Sequence, residues 1–478
     1  MQAVKMKQHY HFVGIGGIGM GALAALLLQK GCRVTGSDIR ENQIVQNLQG
    51  QGAEIHIGHD PRHVGTADFV VFSSAIKKDN PELAEAKRRA IPILQRAQLL
   101  AGLMQGHTGI TVAGAHGKTT TTSMISSLLT EAGLHPTTAI GGIINGTSSN
   151  ARLGAGEYFV AEVDESDGSF LYFSPRYSVI TNIDFEHVDY FHNWDNILEA
   201  YRRFIHQTER AGVVIACGDD PRLSSLLKEC RSAVHTYGLA SHNKTMAENC
   251  RFDQWSSSFD CLMDGKYWGK VELIVPGRHN IVNALACITL GVHLSIPPEM
   301  IRRSLAKYRG VQRRFQIKEN IDDIWVVDDY AHHPTEIKAT LAAARLMNRK
   351  RVIAVFQPHR YSRVQYLMQE MAESLTNSDH VIVTDIYAAS EPPVKGVTAE
   401  RLKEHIQKLT ANPVVYLKKE DITGYVLNIV RPGDLVMMLG AGDITHIADA
   451  LGLALRESRK PQTERDTVSQ EKTHPIIL

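Results

Sequence analysis

The stretch TVAGAHGKTTTTSMI, residues 111–125, brings together glycines, a lysine and hydroxyls at a spacing that could hold a phosphate group. A bound phosphate needs backbone N–H groups that point inward, a helix N-terminus and a cation. Gly114 and Gly117 allow a tight turn, and Lys118 stands where it can reach the outer phosphates of a nucleotide. The stretch therefore predicts a nucleotide-binding loop.

The residues around this lysine refine the prediction. Thr119 and Thr120 begin a predicted helix, and either hydroxyl could serve Mg²⁺. The common pattern G-x-x-x-x-G-K-[ST] is not met, because Val112 occupies the position of its first glycine. A glycine turn with a purely structural role is the alternative. The lysine at the turn and the acidic strand end that follows argue against it.

The predicted strand in VAEVDESDGSF is followed by a group of carboxylates, Glu162, Asp164, Glu165 and Asp167. Mg²⁺ prefers hard oxygen ligands and keeps several waters, so one or two of these carboxylates suffice. Glu162 lies at the transition from strand to loop and is the preferred candidate. His187 follows the next strand, in NIDFEHVDYFH, where it could bind a metal or a phosphate; a packed or exposed ring is the alternative.

A second glycine-rich stretch, GIGGIG at residues 14–19, matches G-x-G-x-x-G, and Asp38 follows about twenty residues later at the end of a predicted strand. This pattern is typical of dinucleotide binding, so an NAD-dependent oxidoreductase is the rival from a different functional class. No hydride-transfer constellation is recognisable, however. The diphosphate of UDP suits such a loop as well as that of NAD does.

Short apolar strands, glycine-bearing turns and helices alternate along three segments of the chain, which predicts parallel sheets covered by helices. The predicted fold class is α/β with three tandem domains. These are an N-terminal Rossmann-like domain at 1–102, a central P-loop ATPase-type parallel sheet at 103–312 and a C-terminal Rossmann-like domain at 313–458. Residues 230–275 predict a small antiparallel excursion, and the polar tail at 459–478 predicts disorder.

Composition narrows the function classes. The 478 residues agree with about three domains of roughly 150 residues each. Lys and Arg number 52 against 51 Asp and Glu, so no overall field favours nucleic acid or an anionic membrane. The six cysteines form no C-x-x-C pair and predict buried thiols. No apolar run of about 18 residues occurs, and we expect a cytoplasmic protein.

Six motifs in order, GAHGKTTTTSM, AEVDESDGSFL, NIDFEHVDYF, GRHNIVNALA, RRF and VDDYAHHPTE, resemble those of the Mur ligase family. The resemblance extends from residue 11 to about residue 450. The phosphate loop of this family is G-x-x-G-K-[ST], which accounts for Val112. The resemblance implies a ligase with ATP and Mg²⁺ as cofactors that activates the carboxylate of UDP-N-acetylmuramate as an acyl phosphate. The amine of L-alanine then forms the amide, in peptidoglycan precursor synthesis.

The resemblance also implies roles for individual residues. Those implied in catalysis are Lys118, Glu162, His187, Arg314 and His332. Those implied in ATP binding are Gly114, Gly117, Lys118, Thr119, Thr120, His279, Asn280, Asn283, Arg314 and Asp329. Those implied around the metal are Thr119, Glu162 and His187. Those implied for the UDP-substrate are Gly16, Gly17, Gly19, Asp38, Ser73, Ser74, Arg360 and Arg363. Tyr330 and His332 would face the amino acid, and Gly440, Gly442 and Asp443 would line the same cleft.

Several alternatives stay open at this point. Most members of the family carry a carbamylated lysine after the motif of His187, and the corresponding stretch NILEAYRRFIHQ has none, as in the L-alanine-adding branch. The nearest rival is a recycling ligase that adds the tripeptide L-alanyl-γ-D-glutamyl-meso-diaminopimelate. Folylpolyglutamate synthetase lacks a leading UDP-binding domain, and a non-catalytic nucleotide-binding regulator would need a degenerate third domain. We expect a monomer or weak homodimer that closes about hinges near 102 and 313.

Overall fold

The computed structural model describes residue 4, residues 6–146 and residues 150–459, without the side chains of 188 and 189. Apart from Arg459, the tail predicted to be disordered lies outside the described residues. Backbone contacts divide the chain into two compact units. The first unit comprises residues 1–251, 256–275 and 279–311, and the second comprises 252–255, 276–278 and 312–478.

The first sheet has five parallel strands in the order β3-β2-β1-β4-β5. The strands are β1 (His9–Val13), β2 (Arg33–Asp38), β3 (Glu54–Ile57), β4 (Phe69–Phe72) and β5 (Ile93–Gln95), and the helices are α1 (Ile18–Gln29), α2 (Gln43–Gly50), α3 (Pro81–Arg88) and α4 (Arg96–Met104), with a 3₁₀ helix at Pro61–Val64. Every residue of β1 is buried. The chain reverses its direction of winding at β1, which is where ligands bind in open parallel sheets.

The second sheet has ten strands in the order β15-β14-β13-β12-β11-β10-β6-β9-β7-β8. The strands are β6 (Thr108–Ala113), β7 (Thr137–Ala139), β8 (Ala151–Arg152), β9 (Tyr158–Glu162), β10 (Tyr177–Ile180), β11 (Val213–Cys217), β12 (Ala233–Gly238), β13 (Thr245–Phe252), β14 (Ser257–Met263) and β15 (Lys266–Leu273). The helices are α5 (Lys118–Glu131), α6 (Val188–Phe191), α7 (Trp194–His206), α8 (Pro221–Leu227), α9 (Arg278–His293) and α10 (Pro298–Lys307), with a 3₁₀ helix at Ser169–Tyr172.

The expectation for residues 230–275 is wrong in part. β12 pairs in parallel with β11, and β13 pairs in parallel with β12, whereas β14 and β15 pair antiparallel. The segment therefore extends the central sheet instead of forming a separate excursion. The reason lies in the connections, because α8 carries the chain back across the sheet before β12, while β14 and β15 are joined by a tight turn.

The third sheet has six strands in the order β16-β17-β21-β18-β19-β20. The strands are β16 (Gln316–Ile321), β17 (Ile324–Asp329), β18 (Arg351–Phe356), β19 (His380–Val383), β20 (Val414–Tyr416) and β21 (Asp434–Leu439), and the helices are α11 (Pro334–Leu346), α12 (Tyr361–Leu375), α13 (Ala399–Leu409), α14 (Lys419–Ile429) and α15 (Thr445–Ser458). Only β16 runs antiparallel to its neighbour. Apolar cores lie on both faces of this sheet, as expected for parallel strands with helices on either side.

Three α/β sheets in tandem confirm the predicted fold class. The candidate residues follow the carboxyl ends of parallel strands: residues 14–17 after β1, residues 114–117 after β6, and Glu162 and Asp329 at the ends of β9 and β17. The boundary placed between 102 and 103 falls inside α4. Among the helices of the described residues, none is both long and apolar enough to cross a membrane.

Candidate functional site

The loop between β6 and α5 requires both of its glycines. Gly114 and Gly117 have φ values of +130° and +81°, a backbone region that residues other than glycine rarely adopt. A Cβ on Gly114 would lie 2.1 Å from Thr181 Oγ1, and one on Gly117 would lie 2.7 Å from Asn283 Oδ1. The loop therefore turns tightly into the N-terminus of α5, whose first amides point outward for an anion.

The residues that follow β10 brace this loop. Asn182 accepts the His116 N–H at Oδ1 (2.9 Å) and donates to the His116 carbonyl (3.0 Å). Thr181 Oγ1 donates to the same carbonyl at 2.6 Å, and His116 Nε2 lies 2.8 Å from Asp184 Oδ2. These contacts fix the middle of the phosphate loop. The sequence carries no signal for this bracing role, which depends on the pairing of β10 with β6.

Lys118 points back into the mouth of the loop. Its Nζ donates to the carbonyls of Gly114 and Ala115 and to both oxygens of Glu165, at 2.8 and 3.0 Å. Burial by itself lowers the pKa of Lys118, but the carboxylates of Glu165 and Asp164 outweigh it and hold the pKa above its ordinary value. The ammonium is thus charged and fixed at the position that a phosphate-binding loop needs.

The structure brings Thr119 and Glu162 together and groups His187 with other carboxylates. Thr119 Oγ1 donates to Glu162 Oε1 at 3.0 Å, and Glu162 Oε2 accepts the Gly141 N–H at 2.7 Å. His187 Nε2 lies 3.7 Å from an oxygen of Glu165 and 3.7 Å from one of Glu186.

The group of carboxylates around His187 has the spacing of a metal site. One ligand atom from each of Asp164, Glu165 and His187 lies within 4.8 Å of the other two. Burial by itself lowers the pKa of His187, but Glu165 and Glu186 outweigh it, and the pKa lies above its ordinary value. The concentration of carboxylate oxygens around the loop suits a hard cation such as Mg²⁺.

Two amides from α9 complete this region. Asn283 Oδ1 accepts the Thr121 hydroxyl at 3.3 Å, and Asn283 Nδ2 lies 3.4 Å from Asn280 Oδ1. Both asparagines are buried, and the contact between them places their side chains on one face of the helix. His279 lies at the second residue of the same helix, and Thr120 lies beside Thr119 at the start of α5.

The loop after β1 is held by hydrogen bonds to its backbone amides and to the carbonyl of Gly16. Asp38 Oδ2 accepts the Gly16 N–H at 2.8 Å, and Asn42 Nδ2 donates to the Gly16 carbonyl at 3.0 Å. The carbonyl of Ser37 accepts the N–H groups of Gly14 and Ile15, at 2.8 and 3.0 Å. Gly17 caps the N-terminus of α1 and is exposed.

The turn with Ser73 and Ser74 lies beside this loop, because Ile76, which donates to the Ser73 carbonyl, would be 2.9 Å from a Cβ on Gly14. Arg96 supplies a cation that the sequence analysis missed. It begins α4, and its guanidinium would lie 3.1 Å from a Cβ on Gly19. Arg96 Nη2 also lies 3.7 Å from Asp164 Oδ2. A lone arginine at a helix start carries no sequence signal of its own.

In the second unit, Asp329 is buried at the end of β17. Its Oδ2 accepts the Phe315 N–H at 2.7 Å, and its Oδ1 accepts the Ala331 N–H at 2.8 Å. Burial raises the pKa of Asp329 to about 6. In this conformation Asp329 braces the loops that carry Arg314 and Tyr330, and its predicted contact with the ribose side of ATP stays a proposal.

Arg314, Tyr330 and His332 lie together. The Arg314 guanidinium is 4.9 Å from the centre of the Tyr330 ring, and the ring of Tyr330 contacts that of His332 edge to face at 5.4 Å. Glu336 ties the group to α11, because its carboxylate lies 3.5 Å from Arg314 Nη1 and 3.1 Å from His332 Nδ1. The structure therefore assembles the three residues that the sequence predicted from two separate motifs.

His359, a residue that the sequence analysis did not single out, connects this group to the predicted arginines. Its ring lies 5.6 Å from that of His332 and stacks on Tyr387 at 5.5 Å. Arg363 Nη1 donates to the His359 carbonyl at 3.0 Å. Burial, together with the charges of His332 and Arg363, lowers the pKa of His359 to about 2.

The remaining predicted residues of this unit lie on either side of that group. Arg360 Nη1 lies 3.7 Å from Glu391 Oε1. Gly440 and Gly442 accept hydrogen bonds from Arg313 through their carbonyls, at 2.7 and 3.0 Å, which places the LGAGD turn beside the neighbour of Arg314. Asp443 accepts from Lys419 Nζ at 2.8 Å and from Gln357 Nε2 at 2.7 Å.

Comparison with known proteins gives consistent matches along the chain. Models of the Mur ligase family match residues 9–108 (catalytic domain), 112–291 (middle domain) and 313–442 (glutamate ligase domain). UDP-N-acetylmuramate–L-alanine ligase of Geotalea uraniireducens is 44% identical over 92% of this chain and 96% of its own length.

Two solved structures are similar over nearly the whole chain. The UDP-N-acetylmuramate-alanine ligase of Thermotoga maritima superposes with a TM-score of 0.82 at 28% identity, covering 94% of this chain and 100% of its own. A murein peptide ligase of Psychrobacter arcticus superposes with a TM-score of 0.70 at 25% identity, covering 94% and 98%.

Proposed function

The chain belongs to the Mur ligase family, and from this premise we propose that it uses ATP to join L-alanine to the carboxylate of UDP-N-acetylmuramate, in peptidoglycan precursor synthesis. The observation that carries the proposal is the phosphate loop, in which Lys118 and Thr119 are held by Glu165 and Glu162. The full-length similarity to a relative of that name supports the choice of substrates.

The reaction needs ATP because a carboxylate is a poor electrophile. A carboxylate oxygen attacks the γ-phosphorus, and the bond to the β–γ bridging oxygen breaks, so that ADP leaves with the electron pair. The amine nitrogen of L-alanine then attacks the acyl carbon, and the C–O bond to phosphate breaks. The ammonium of L-alanine gives up one proton to become the attacking amine, and the nitrogen loses a second proton, which ends on the phosphate, as the amide N–H forms. Most of what the protein contributes is positioning and charge neutralisation.

Around the phosphates we assign Lys118 to the β- and γ-phosphates. Gly114 and Gly117 would shape the turn, and the amides of Gly117 to Thr119 would form the cradle, because those of Ala115 and His116 donate to Asn182. Thr119, Glu162 and His187 would hold Mg²⁺. The donors of Thr119 and Glu162 fit, since their hydroxyl and carboxylate oxygens are already in contact, and His187 would join them from its group with Asp164 and Glu165. Mg²⁺ supplies charge neutralisation when two anions, the carboxylate and the γ-phosphate, must meet.

We assign the remaining residues by substrate. The UDP end of the sugar nucleotide would bind Gly16, Gly17, Gly19, Asp38, Ser73 and Ser74, with Arg360 and Arg363 on its anionic groups. ATP would also contact Thr120, His279, Asn280, Asn283, Arg314 and Asp329. Tyr330 and His332 would face L-alanine. Catalytic roles fall to Lys118, Glu162, His187, Arg314 and His332.

Further parts of the proposal concern organisation. We propose domains at 1–102, 103–312 and 313–458, which the family matches at 9–108, 112–291 and 313–442 support. We propose a monomer or weak homodimer without nucleic acid or membrane partners. A cytoplasmic location would give it access to ATP and a UDP-linked sugar.

The test is phosphate release from ATP by the purified full chain with Mg²⁺ and UDP-N-acetylmuramate, with and without L-alanine. Release that requires both substrates is the expected result. Release with the tripeptide but not with L-alanine would move the assignment to the recycling ligase, which the similarity to a murein peptide ligase makes the nearest rival. No release with either acceptor would overturn the ligase assignment.

A further inference from the structure

Glu82 is a buried carboxylate that the proposed function leaves without a role. It is the second residue of α3, and its side chain is 0% exposed. Its Oε2 accepts the Ser37 hydroxyl at 2.6 Å, and its Oε1 accepts the Asp60 N–H at 3.3 Å. A buried charge is costly unless it is paired and hydrogen-bonded, so a carboxylate at this position needs a compensating environment.

Three imidazoles supply that environment. His63 Nδ1 lies 3.1 Å from Glu82 Oε1, and on the other oxygen His59 Nδ1 lies at 3.3 Å and His11 Nε2 at 3.6 Å. Burial by itself raises the pKa of Glu82, but the interactions with His11 and Ser37 outweigh it and hold the pKa at about 2. The carboxylate is therefore ionised at neutral pH, with polar groups from three separate stretches of chain around it.

Ser37 connects Glu82 to the glycine loop after β1. While its hydroxyl donates to Glu82, its carbonyl accepts the N–H groups of Gly14 and Ile15. The next residue, Asp38, accepts the N–H of Gly16 at 2.8 Å. Three successive amides of the loop are thus held by Ser37 and Asp38. Glu82 in turn accepts the hydrogen bond that fixes the side chain of Ser37.

We propose that Glu82 is a positioning residue for the UDP-substrate site, acting through Ser37 on the glycine loop. This inference rests on the proposed function, which assigns the loop to the UDP end of the substrate. The first amides of α1 bind a diphosphate well only when the loop that leads into them is already positioned, so a loop released from its acceptors loses affinity. Glu82 itself touches no substrate in this scheme.

The direct experiment replaces Glu82 by Gln, which keeps the shape of the side chain and removes its charge. We expect the KM for UDP-N-acetylmuramate to rise about tenfold, while kcat and the KM for ATP stay within about twofold of the wild type. Glu85→Gln is the matched control, because Glu85 lies on the same helix and pairs with the exposed Arg88. A variant that raises both KM values together, or neither, would contradict the proposal. A merely structural defect lowers the active fraction, and with it the apparent kcat, without a selective rise in one KM.

Ser37→Ala tests the same link if Glu82→Gln fails to fold. We expect a smaller rise in the KM for UDP-N-acetylmuramate, about threefold, and in the double variant no further rise beyond that of Glu82→Gln, because both changes break one connection. Additive effects, or an unchanged KM in Ser37→Ala, would overturn the proposal.

Calorimetric titration with UDP alone separates this inference from the proposed function. If the wild type releases no phosphate with UDP-N-acetylmuramate, the proposed function fails. UDP binding then still tests Glu82: weaker binding by Glu82→Gln than by Glu85→Gln supports its positioning role, and equal binding contradicts it.

Discussion

The two glycine loops of the first unit are built alike and equipped differently. Each follows a buried parallel strand and turns into a helix N-terminus, after β1 in one case and after β6 in the other. The loop after β6 leads into Lys118, whose ammonium donates to Glu165, and Thr119, whose hydroxyl donates to Glu162. The loop after β1 has no lysine, and its amides are held by acceptors from Ser37 and Asp38.

This difference separates chemistry from binding. A cation and carboxylates at a phosphate site can neutralise the charge that moves when a phosphoryl group is transferred. A helix N-terminus with a single arginine nearby, as Arg96 lies beside the loop after β1, can hold a diphosphate that does not react. We therefore expect damage to the loop after β6 to reduce kcat and damage to the loop after β1 to raise the KM for the sugar nucleotide.

The largest effect should come from Lys118→Met. We expect kcat to fall by at least about 100-fold, because the group that neutralises the transferred phosphate is lost. Phosphate release at saturating substrates measures it. Circular dichroism must show a folded protein, since Glu165 is left buried without its ammonium. A kcat within tenfold of the wild type would contradict the assignment, and binding of UDP should not change.

Glu162→Gln should have the next largest effect. The amide keeps a hydrogen bond to Thr119 but is a poorer ligand for Mg²⁺. We expect the Mg²⁺ concentration for half-maximal activity to rise about tenfold or more, with partial recovery of kcat at high Mg²⁺. Asp167→Gln, in the same acidic segment, is the matched control. An unchanged Mg²⁺ requirement would exclude Glu162 as a metal ligand.

Gly16→Ala addresses the other loop. A Cβ there would lie 2.8 Å from Asn42 Nδ2 and 2.9 Å from Asp38 Oδ2, so the contacts that hold the loop must shift. We expect the KM for UDP-N-acetylmuramate to rise about tenfold, or about 1.4 kcal/mol, with kcat within about twofold. Gly50→Ala, where a Cβ meets nothing within 4 Å, is the control. A loss of kcat at unchanged KM would reverse the comparison between the loops.

The smallest expected effect concerns the second unit and is a change in the pH dependence of stability rather than in kcat or KM. The folded pKa of His359, about 2, lies below the ordinary value of 6.5, so the unfolded state takes up a proton first as the pH falls. The free energy of unfolding therefore falls as the pH drops below about 6.5, because His359 is held neutral in the folded state, and the fall is no more than about 1.4 kcal/mol per pH unit. His359→Asn should flatten the fall in Tm between pH 7 and 5.5, whereas His405→Asn on α13 should not. Parallel pH profiles for His359→Asn and the wild type would contradict this.

The features that depend on residues close together in the chain, the phosphate loop and the order of strands and helices, could be predicted from the sequence. The glycine and lysine positions of residues 114–118 lie next to one another in the chain, and the alternation of strands and helices followed from hydrophobic patterning. The resemblance placed Thr119 and Glu162 around the same metal, and the two side chains are in contact because β6 and β9 are neighbouring parallel strands. The extension of the central sheet by β12 could not be predicted, since pattern alone does not tell which strand a new strand joins.

Contacts between side chains that are distant in the sequence could not be predicted. Four carboxylates lie at the end of β9 or shortly after it, and only the folded loop shows that Glu165, rather than Glu162, holds Lys118. His359 and Glu82 lack any local signature, because the groups around them come from distant parts of the chain. Their importance depends on burial and on neighbours, which a single sequence does not display.

The most direct test of the central claim, that ATP activates the sugar-nucleotide carboxylate, is the fate of its oxygen. UDP-N-acetylmuramate labelled with ¹⁸O in both carboxylate oxygens is incubated with the full chain, ATP, Mg²⁺ and L-alanine, and the released phosphate is analysed by mass spectrometry. The account predicts one ¹⁸O in each phosphate and the other in the new amide. Phosphate without ¹⁸O, released together with the amide product, would contradict an acyl phosphate.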